Sequence, residues 1–311
     1  MVNVYFSNLR KLICLDLSGF ERKNDWPSIV AVAGDWLIVG SCISLSVYTG
    51  SWLIYLLSIP VISGRMMALG FLMHEAGHNN LFKNRWFNRW VSELFLAWPL
   101  FLSMRKYRSV HAKHHKYLKT ERDTEAPLSQ YKEYQFPQKK ALWYGMLLLD
   151  LSGIHFFYYA FKKLSSRQSK AINPISAPVL NAFYKALRTG YYLLLFSNLV
   201  YFDLWWEYVL FWIIPYVTWF QLVVRLQVCS EHFGLPHSVG YQTRSLVLNR
   251  VEKFFFFPHN KHYHTEHHIY PEVYFARLES LHRMLIKEPV YAANTQVTYG
   301  ISGLFKELTY D

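Results

Sequence analysis

Residues 52–78 read WLIYLLSIPVISGRMMALGFLMHEAGH, an apolar stretch that runs directly into a pair of histidines. Its apolar part, 52–73, is about as long as the roughly 20 residues that cross a bilayer as a helix. A second such stretch, IVAVAGDWLIVGSCISLSVY at 29–48, lies just before it. Because only a few residues separate the two, the sequence predicts a helical hairpin in a membrane, with His74 and His78 at the end of its second helix.

The composition of the whole chain is typical of a membrane protein. Of its 311 residues, 52% are hydrophobic and 18% aromatic, while 17% are charged, against about a quarter in soluble domains. A formal charge of +12 would suit nucleic acid, but the lysines and arginines flank apolar stretches and form no stripe. They are typical of cytoplasmic loops that face anionic lipid head groups. We therefore predict a membrane partner and no nucleic-acid partner.

A second helical hairpin is predicted at 183–202 and 207–228, where two more apolar stretches are joined by a short connection. The predicted fold class is therefore all-α, an integral membrane protein with about four transmembrane helices in two hairpins. Two other apolar stretches fit a span poorly, because 92–104 is too short and 141–160 is interrupted by polar groups. We expect 92–104 to lie in the interface or re-enter the membrane. We expect 141–160 to form an amphipathic or partly buried helix.

The distribution of basic residues predicts the orientation. The loops 49–51 and 203–207 contain no Lys or Arg, whereas the N-terminus and the segments after each hairpin are basic. Positively charged loops stay in the cytoplasm, so we predict a multi-pass protein with both termini and the histidine-rich segments on the cytoplasmic side. The chain 1–311 is predicted to be one domain, with a catalytic cap from 74–140 and 229–285.

Two charged residues, Asp35 and Arg65, interrupt the first predicted hairpin. Charges in transmembrane segments usually face protein or water, because lipid cannot solvate them. We therefore expect neither side chain to face lipid.

Histidines form three clusters along the chain. On a helix, positions i, i+3 and i+4 share a face, so each cluster is expected to aim two or three imidazoles at one point. Neutral imidazole suits first-row metals such as iron, zinc and copper. The clusters are His74 and His78; His111, His114 and His115; and His264, His267 and His268.

The second and third clusters are the informative ones. At a histidine frequency of 14/311, chance predicts H-x-x-x-H about 0.6 times and H-x-x-H-H about 0.03 times, yet H-x-x-H-H occurs twice. The first cluster alone also matches H-E-x-x-H, the zinc protease motif in which two histidines bind zinc and the glutamate activates water. A protease leaves the other two clusters unexplained, since a zinc site needs only about three protein ligands.

The three clusters together resemble those of the membrane fatty acid desaturases and the related hydroxylases and ketolases. The likeness extends to the residues around them, over about 70–125 and 228–285. These include HEAGHNNLFKNRWFN at the first cluster, AWPL before the second and PHNKHYHTEHHIYP around the third. Hereafter the clusters are called boxes one, two and three.

The resemblance implies a set of metal ligands. Members of the family bind two iron ions through the boxes, and many have one more histidine after the last span, which here is His232. Some also have an asparagine four residues before that histidine, but this chain departs from the pattern with Val228. His259 and His262, beside box three, are not assigned as ligands. The implied set is His74, His78, His111, His114, His115, His232, His264, His267 and His268.

Four carboxylates near the boxes could orient ligands by accepting the second imidazole N–H, or could be solvated loop charges. They are Glu75, Asp123, Glu231 and Glu266. Three histidines outside the boxes are expected to be ordinary core or surface residues. They are His155, His237 and His282.

The resemblance implies a dioxygen-dependent oxidoreductase that desaturates a long-chain lipid, such as a fatty acyl chain. A hydroxylase or ketolase acting on a carotenoid, a terpenoid or a lipid stays open, and the zinc protease is a remote alternative. The chain has no haem, flavin or iron–sulfur motif, so electrons must come from a donor such as a ferredoxin or a small cytochrome.

Overall fold

The structure is a computed structural model that describes residues 3–22, 24–124, 131–165, 182–236 and 242–311. The described chain is mostly helical, as predicted, with two short two-stranded parallel sheets. His237, expected to be an isolated histidine, lies outside the described residues, as do residues 125–130 of the predicted cap.

Within the described ranges, the helices and strands follow one another in chain order, with two π-helical turns and two 3₁₀ turns between them. The α-helices are α1 (Val4–Ile13), α2 (Trp26–Thr49), α3 (Trp52–Gly77), α4 (Arg85–Val91), α5 (Met104–Tyr117), α6 (Lys140–Leu151), α7 (Ile154–Ser165), α8 (Ala182–Tyr201), α9 (Trp205–Tyr208), α10 (Ile214–Val217), α11 (Trp219–His232), α12 (Arg250–Phe255), α13 (His264–Ile269), α14 (Leu278–Leu285), α15 (Pro289–Asn294) and α16 (Gly300–Leu308). The π-helical turns are Ser92–Ala97 and Val209–Ile213, and the 3₁₀ turns are Lys132–Tyr134 and Phe275–Arg277. The strands are β1 (Gln138–Lys139), β2 (Arg244–Val247), β3 (Gln296–Tyr299) and β4 (Thr309–Tyr310); β1 pairs with β4, and β2 with β3.

Among the described residues, three helices are long and apolar enough to cross a membrane: α2, α3 and the continuous helix Trp205–His232. They coincide with the predicted spans 29–48, 52–73 and 207–228. The fourth predicted span, 183–202, is helical as α8, but α8 is not among the helices that meet the length and hydropathy requirement. The four-span topology therefore stays a prediction.

The turn between α2 and α3 has the local signals of a tight helical hairpin. Gly50 ends α2 in the left-handed region at φ +60°, which glycine adopts without strain. The side chain of Ser51 then accepts a hydrogen bond from the backbone N–H of Ile54 and so caps α3. The two helices pack along their length as an antiparallel pair.

The stretch 141–160 is two helices instead of one. α6 and α7 are separated at Gly153, which has φ +77°, and a Cβ there would lie 3.2 Å from the carbonyl oxygen of Val217. Each helix has 12 described residues, fewer than a bilayer crossing needs, which agrees with the expectation of a partly buried element.

The two charges in the first hairpin are buried, as expected, and they contact each other. Arg65 Nη1 lies 2.9 Å from Asp35 Oδ1, and both side chains are buried. The other carboxylate oxygen of Asp35 accepts a hydrogen bond from His259 Nε2 at 2.7 Å. This network connects α2 and α3 to the segment before box three, so it contributes to the position of that box.

The apolar stretch 92–104 begins with the π-helical turn Ser92–Ala97, which packs on α3. The chain then enters α5 at Met104. Glu93 in this turn is fully buried, and its carboxylate accepts hydrogen bonds from the backbone N–H groups of Met104 and Arg105. An acidic group at a helix N-terminus compensates the unpaired N–H groups there. Glu93 thus fixes the start of the helix that carries box two.

Candidate metal centre

Nine histidine side chains gather in two clusters at the ends of α3 and α11. Within each cluster the nitrogens that could bind a metal lie within 4.8 Å of one another. All nine are the histidines expected from the sequence, including His232. The five-histidine cluster contains His74, His78, His111, His115 and His267, and the four-histidine cluster contains His114, His232, His264 and His268.

Boxes two and three each divide their histidines between the two clusters. His111 and His115 share the five-histidine cluster, and His264 and His268 share the four-histidine cluster. The remaining histidine of each box points to the other cluster. The reason is helical geometry: residues i and i+4 lie on one face, whereas adjacent residues are rotated by about 100°. Each of these boxes thus aims two imidazoles at one cluster, within the expected two or three, and its third imidazole at the other cluster.

His78 directly follows α3 and lies beside His74, which belongs to the last turn of that helix. His232 occupies the last position of α11, where the helix leaves its carbonyl groups without partners. Arg244 donates to the carbonyl oxygens of Ser230 and Phe233, and Lys119 donates to that of His232 at 2.7 Å. These cations hold the end of α11 against box two and β2.

Box three lies on α13, a helix of six residues that is buried throughout. Glu266 on this helix is fully buried, and its carboxylate contacts the hydroxyl groups of Ser245 and Tyr291 and the ring of His282. Glu266 therefore anchors the helix instead of orienting a box histidine. His282, expected to be an unremarkable residue, is buried and is one of the anchors.

Two of the other carboxylates do contact box histidines. His114 Nδ1 donates to Asp123 Oδ1 at 2.8 Å. Glu231 Oε1 lies 3.3 Å from His264 Nδ1, which also accepts a hydrogen bond from Lys261 Nζ at 2.9 Å. Both contacts use the ring nitrogen that faces away from the four-histidine cluster. The Asp123 contact fixes the tautomer of His114 and leaves its other nitrogen free to bind a metal. Glu75 lies 3.4 Å from His74 Nδ1, next to it in the chain.

The environment keeps the box histidines neutral. Burial, followed by the positive charge of Lys261, lowers the pKa of His78 to about 3. Burial is also the main cause that lowers the pKa of His115 and His268 well below the usual range. The charge of neighbouring histidines is the next largest cause. A neutral imidazole keeps the lone pair that a metal ion needs.

The arrangement of nitrogens fits bound metal ions. Two nitrogens bonded to one metal at about 2.1 Å and at right angles lie about 3.0 Å apart. In the four-histidine cluster, His232 Nε2 lies 3.0 Å from His114 Nε2 and 2.9 Å from His264 Nε2. In the five-histidine cluster, both ring nitrogens of His74 and Nε2 of His78 are buried without a hydrogen-bond partner. Buried nitrogens that face one another in this way are satisfied by a shared cation.

A cavity of about 60 Å³ adjoins the five-histidine cluster, between α5 and the loop at Pro271. His78, His111 and His115 form part of its wall, together with Arg108.

Comparison with known proteins agrees with this geometry. A sequence model described as fatty acid desaturase matches residues 50–300, which is most of the chain. The protein belongs to the fatty acid desaturase family. Like other members, this desaturase is an oxidoreductase, and the matched range includes all nine clustered histidines.

Two curated relatives of this desaturase are themselves named desaturases. Dihydrorhizobitoxine desaturase of Bradyrhizobium elkanii is 27% identical over 299 residues, which cover 91% of this chain and 81% of the relative. The sn-1 acyl-lipid omega-3 desaturase (ferredoxin) of Nostoc sp. (strain 36) is 26% identical over 147 residues, or 46% of this chain and 39% of the relative.

Proposed function

We propose that the protein is a dioxygen-dependent membrane desaturase that holds one iron ion in each histidine cluster. The observation that carries this proposal is the pair of adjacent clusters, with five and four histidines in contact distance. All nine histidines are the proposed ligands: His74, His78, His111, His114, His115, His232, His264, His267 and His268. A zinc protease is not supported, because its site needs only about three protein ligands and no second cluster.

The reaction removes two hydrogens from adjacent carbons. A –CH₂–CH₂– unit, dioxygen, two electrons and two protons give –CH=CH– and two water molecules. No side chain can attack an unactivated C–H bond, and bound iron with dioxygen supplies that oxidising power. The chain supplies the rest: burial favours neutral imidazoles, Asp123 orients His114, and the clusters are shielded from bulk water.

The proposed substrate is a long acyl chain that reaches the centre from the bilayer. Three helices of the described chain are apolar enough to lie in the membrane, and α3 and the helix Trp205–His232 both end at the histidine clusters. An apolar groove of about 720 Å³ also opens along α2 and the π-helical turn 92–97, with Trp36, Phe87 and Leu94 in its wall. A lipid substrate therefore has apolar surface leading toward the cap.

A second candidate is the same reaction on a substrate that is not a lipid. The relative that covers 91% of this chain is named for dihydrorhizobitoxine. A hydroxylase or ketolase of the same family would use the same clusters and would differ in the product, which gains oxygen.

The electron donor is proposed to be a ferredoxin or a small cytochrome. The donor has to approach the clusters from the aqueous side, and α5 carries box two. The outer face of α5 is basic, with Lys106, Lys113 and Lys116, and α5 contains no acidic residue. A basic surface favours encounter with an acidic donor. We also propose that the boxes and both termini are cytoplasmic, in agreement with the basic loops.

The deciding experiment is expression in a host of defined lipid composition, with dihydrorhizobitoxine added in parallel, followed by mass spectrometry. The matched control is His268→Ala. Loss of two hydrogens from an acyl chain supports the lipid desaturase, and the same loss from the added compound supports the second candidate. A gain of oxygen identifies a hydroxylase, and products that equal those of the control contradict the proposal.

A further inference from the structure

The N-terminal helix α1 lies against the four-histidine cluster, although it precedes the first transmembrane helix by many residues. It packs on α13, which carries box three, and on α15. The family match begins at residue 50 and does not include α1. The role of α1 is therefore a separate question from the family assignment.

The buried face of α1 meets the metal centre through Phe6. The ring of Phe6 is only 1% exposed, and its centroid lies 5.5 Å from that of His268. Leu9, one turn further, is also buried in the apolar cluster that contains Leu118 at the end of box two and Ile269 after box three. Phe6 thus closes the side of the four-histidine cluster that the spans do not cover.

Separate contacts fix α1 in this position. Asn3 Nδ2 donates to the carbonyl oxygen of Leu118 at 3.2 Å, and the Tyr5 hydroxyl donates to that of Asn294 at 3.1 Å. At the other end, Arg10 pairs with Glu272 and lies over the ring of Tyr270. The tethers therefore reach the chain after box two, the chain after box three and the C-terminal region.

We propose that α1 is a cover over the four-histidine cluster and that Phe6 is the residue that excludes water and competing ligands from the ion held there. The apolar surroundings of a metal site control solvent access to it. This inference rests on the proposed function, because it requires a metal ion in each cluster. Phe6 is a positioning and shielding residue, since it contacts a proposed ligand and not the reacting atoms.

An alternative role for α1 is to lie on the membrane surface through its outer face. That face contains Val4 and Leu12, which are 76% and 69% exposed. In that case, Leu12 would be needed for contact with the membrane. Substitution of Phe6 would then affect metal binding only by lowering the stability of the whole protein. The two roles therefore predict opposite results for substitutions on the two faces of the same helix.

The test is the release of iron to a colorimetric Fe²⁺ chelator from the anaerobically iron-loaded, full-length protein. Phe6→Ala is expected to release one of its two irons at least about tenfold faster, with the other unchanged. Leu12→Ala is the matched control, and Phe6→Leu, which restores apolar volume, should rescue slow release. If Phe6→Ala fails to fold, Tyr5→Phe loosens one tether and should accelerate the release of the same single iron.

The outcomes separate the cover from the proposed function. A Phe6→Ala protein that releases both irons at the rates of the parent overturns the cover. Equal acceleration of both irons also overturns it, because that result indicates general loosening. A parent protein that binds fewer than two irons overturns the proposed function, and the cover falls with it.

Discussion

The imidazole rings of His115 and His268 stack on each other, with centroids 4.2 Å apart and planes 15° apart, although they belong to different clusters. His115 comes from box two and points to the five-histidine cluster, while His268 comes from box three and points to the four-histidine cluster. The two clusters thus share a wall of two rings. Iron ions held in the two clusters as proposed would be neighbours, so that both could act on one dioxygen molecule.

These two histidines give a paired prediction. His115→Ala and His268→Ala each remove a ligand from a different cluster, so each should lower the iron content from two per chain toward one. Each should also abolish turnover, because one ion cannot replace the pair. Iron analysis and product formation are the measurements, with Glu121→Ala, an exposed residue shortly after box two, as the control. Full activity in either histidine variant would refute the ligand assignment.

His282→Ala is predicted to destabilise the protein. The substitution leaves the buried carboxylate of Glu266 without one of its three partners, which costs about 1–3 kcal/mol. Thermal unfolding in detergent measures the loss. Arg283→Ala is the matched control, since Arg283 is the next residue on α14 and its side chain is 75% exposed. Equal stability of the two variants would show that Glu266 does not need His282.

Asp123→Asn is predicted to weaken metal binding at the four-histidine cluster alone. The amide cannot accept the His114 Nδ1 hydrogen bond as well as the carboxylate, and losses of such contacts typically cost about 10–100-fold in affinity. Competition with a metal indicator measures the affinity of each ion. Glu121→Gln, an exposed change two residues away, serves as the control. Unchanged affinity for both ions would show that Asp123 does not support metal binding through His114.

Asp35→Asn is predicted to unfold the first hairpin more readily. It leaves the Arg65 guanidinium buried without a counter-charge, which typically costs about 3–5 kcal/mol. The double variant Asp35→Leu/Arg65→Met removes both charges and should recover most of the stability. The measurement is the folded fraction of the single and the double variant after heating in detergent. Equal losses in the single and double variants would contradict the pairing.

The sequence predicted the eight box histidines because their spacing within each box is local, whereas His232 was implied only by the family resemblance. It could not predict how boxes two and three divide between two clusters, since that depends on the directions from which α5 and α13 approach. The anchoring of Glu266 by Ser245, His282 and Tyr291 was missed because the partners come from separate segments of the chain. No local pattern connects them.

Hydropathy correctly predicted where long apolar helices lie, at 29–48, 52–73 and 207–228. The break in 141–160 had a local signal in Ser152 and Gly153, a pair that favours a turn. No local sequence signal predicts the cover formed by Phe6, since α1 is short and its partners lie more than a hundred residues away in the chain.

The central claim is that each histidine cluster holds one iron ion. Its most direct test is elemental analysis of the purified full-length protein, expressed with sufficient iron and zinc in the medium. We expect two irons per chain in the parent and a loss of about one when His264→Ala removes a ligand from the four-histidine cluster. A single zinc ion per chain, unchanged in His264→Ala, would contradict the account.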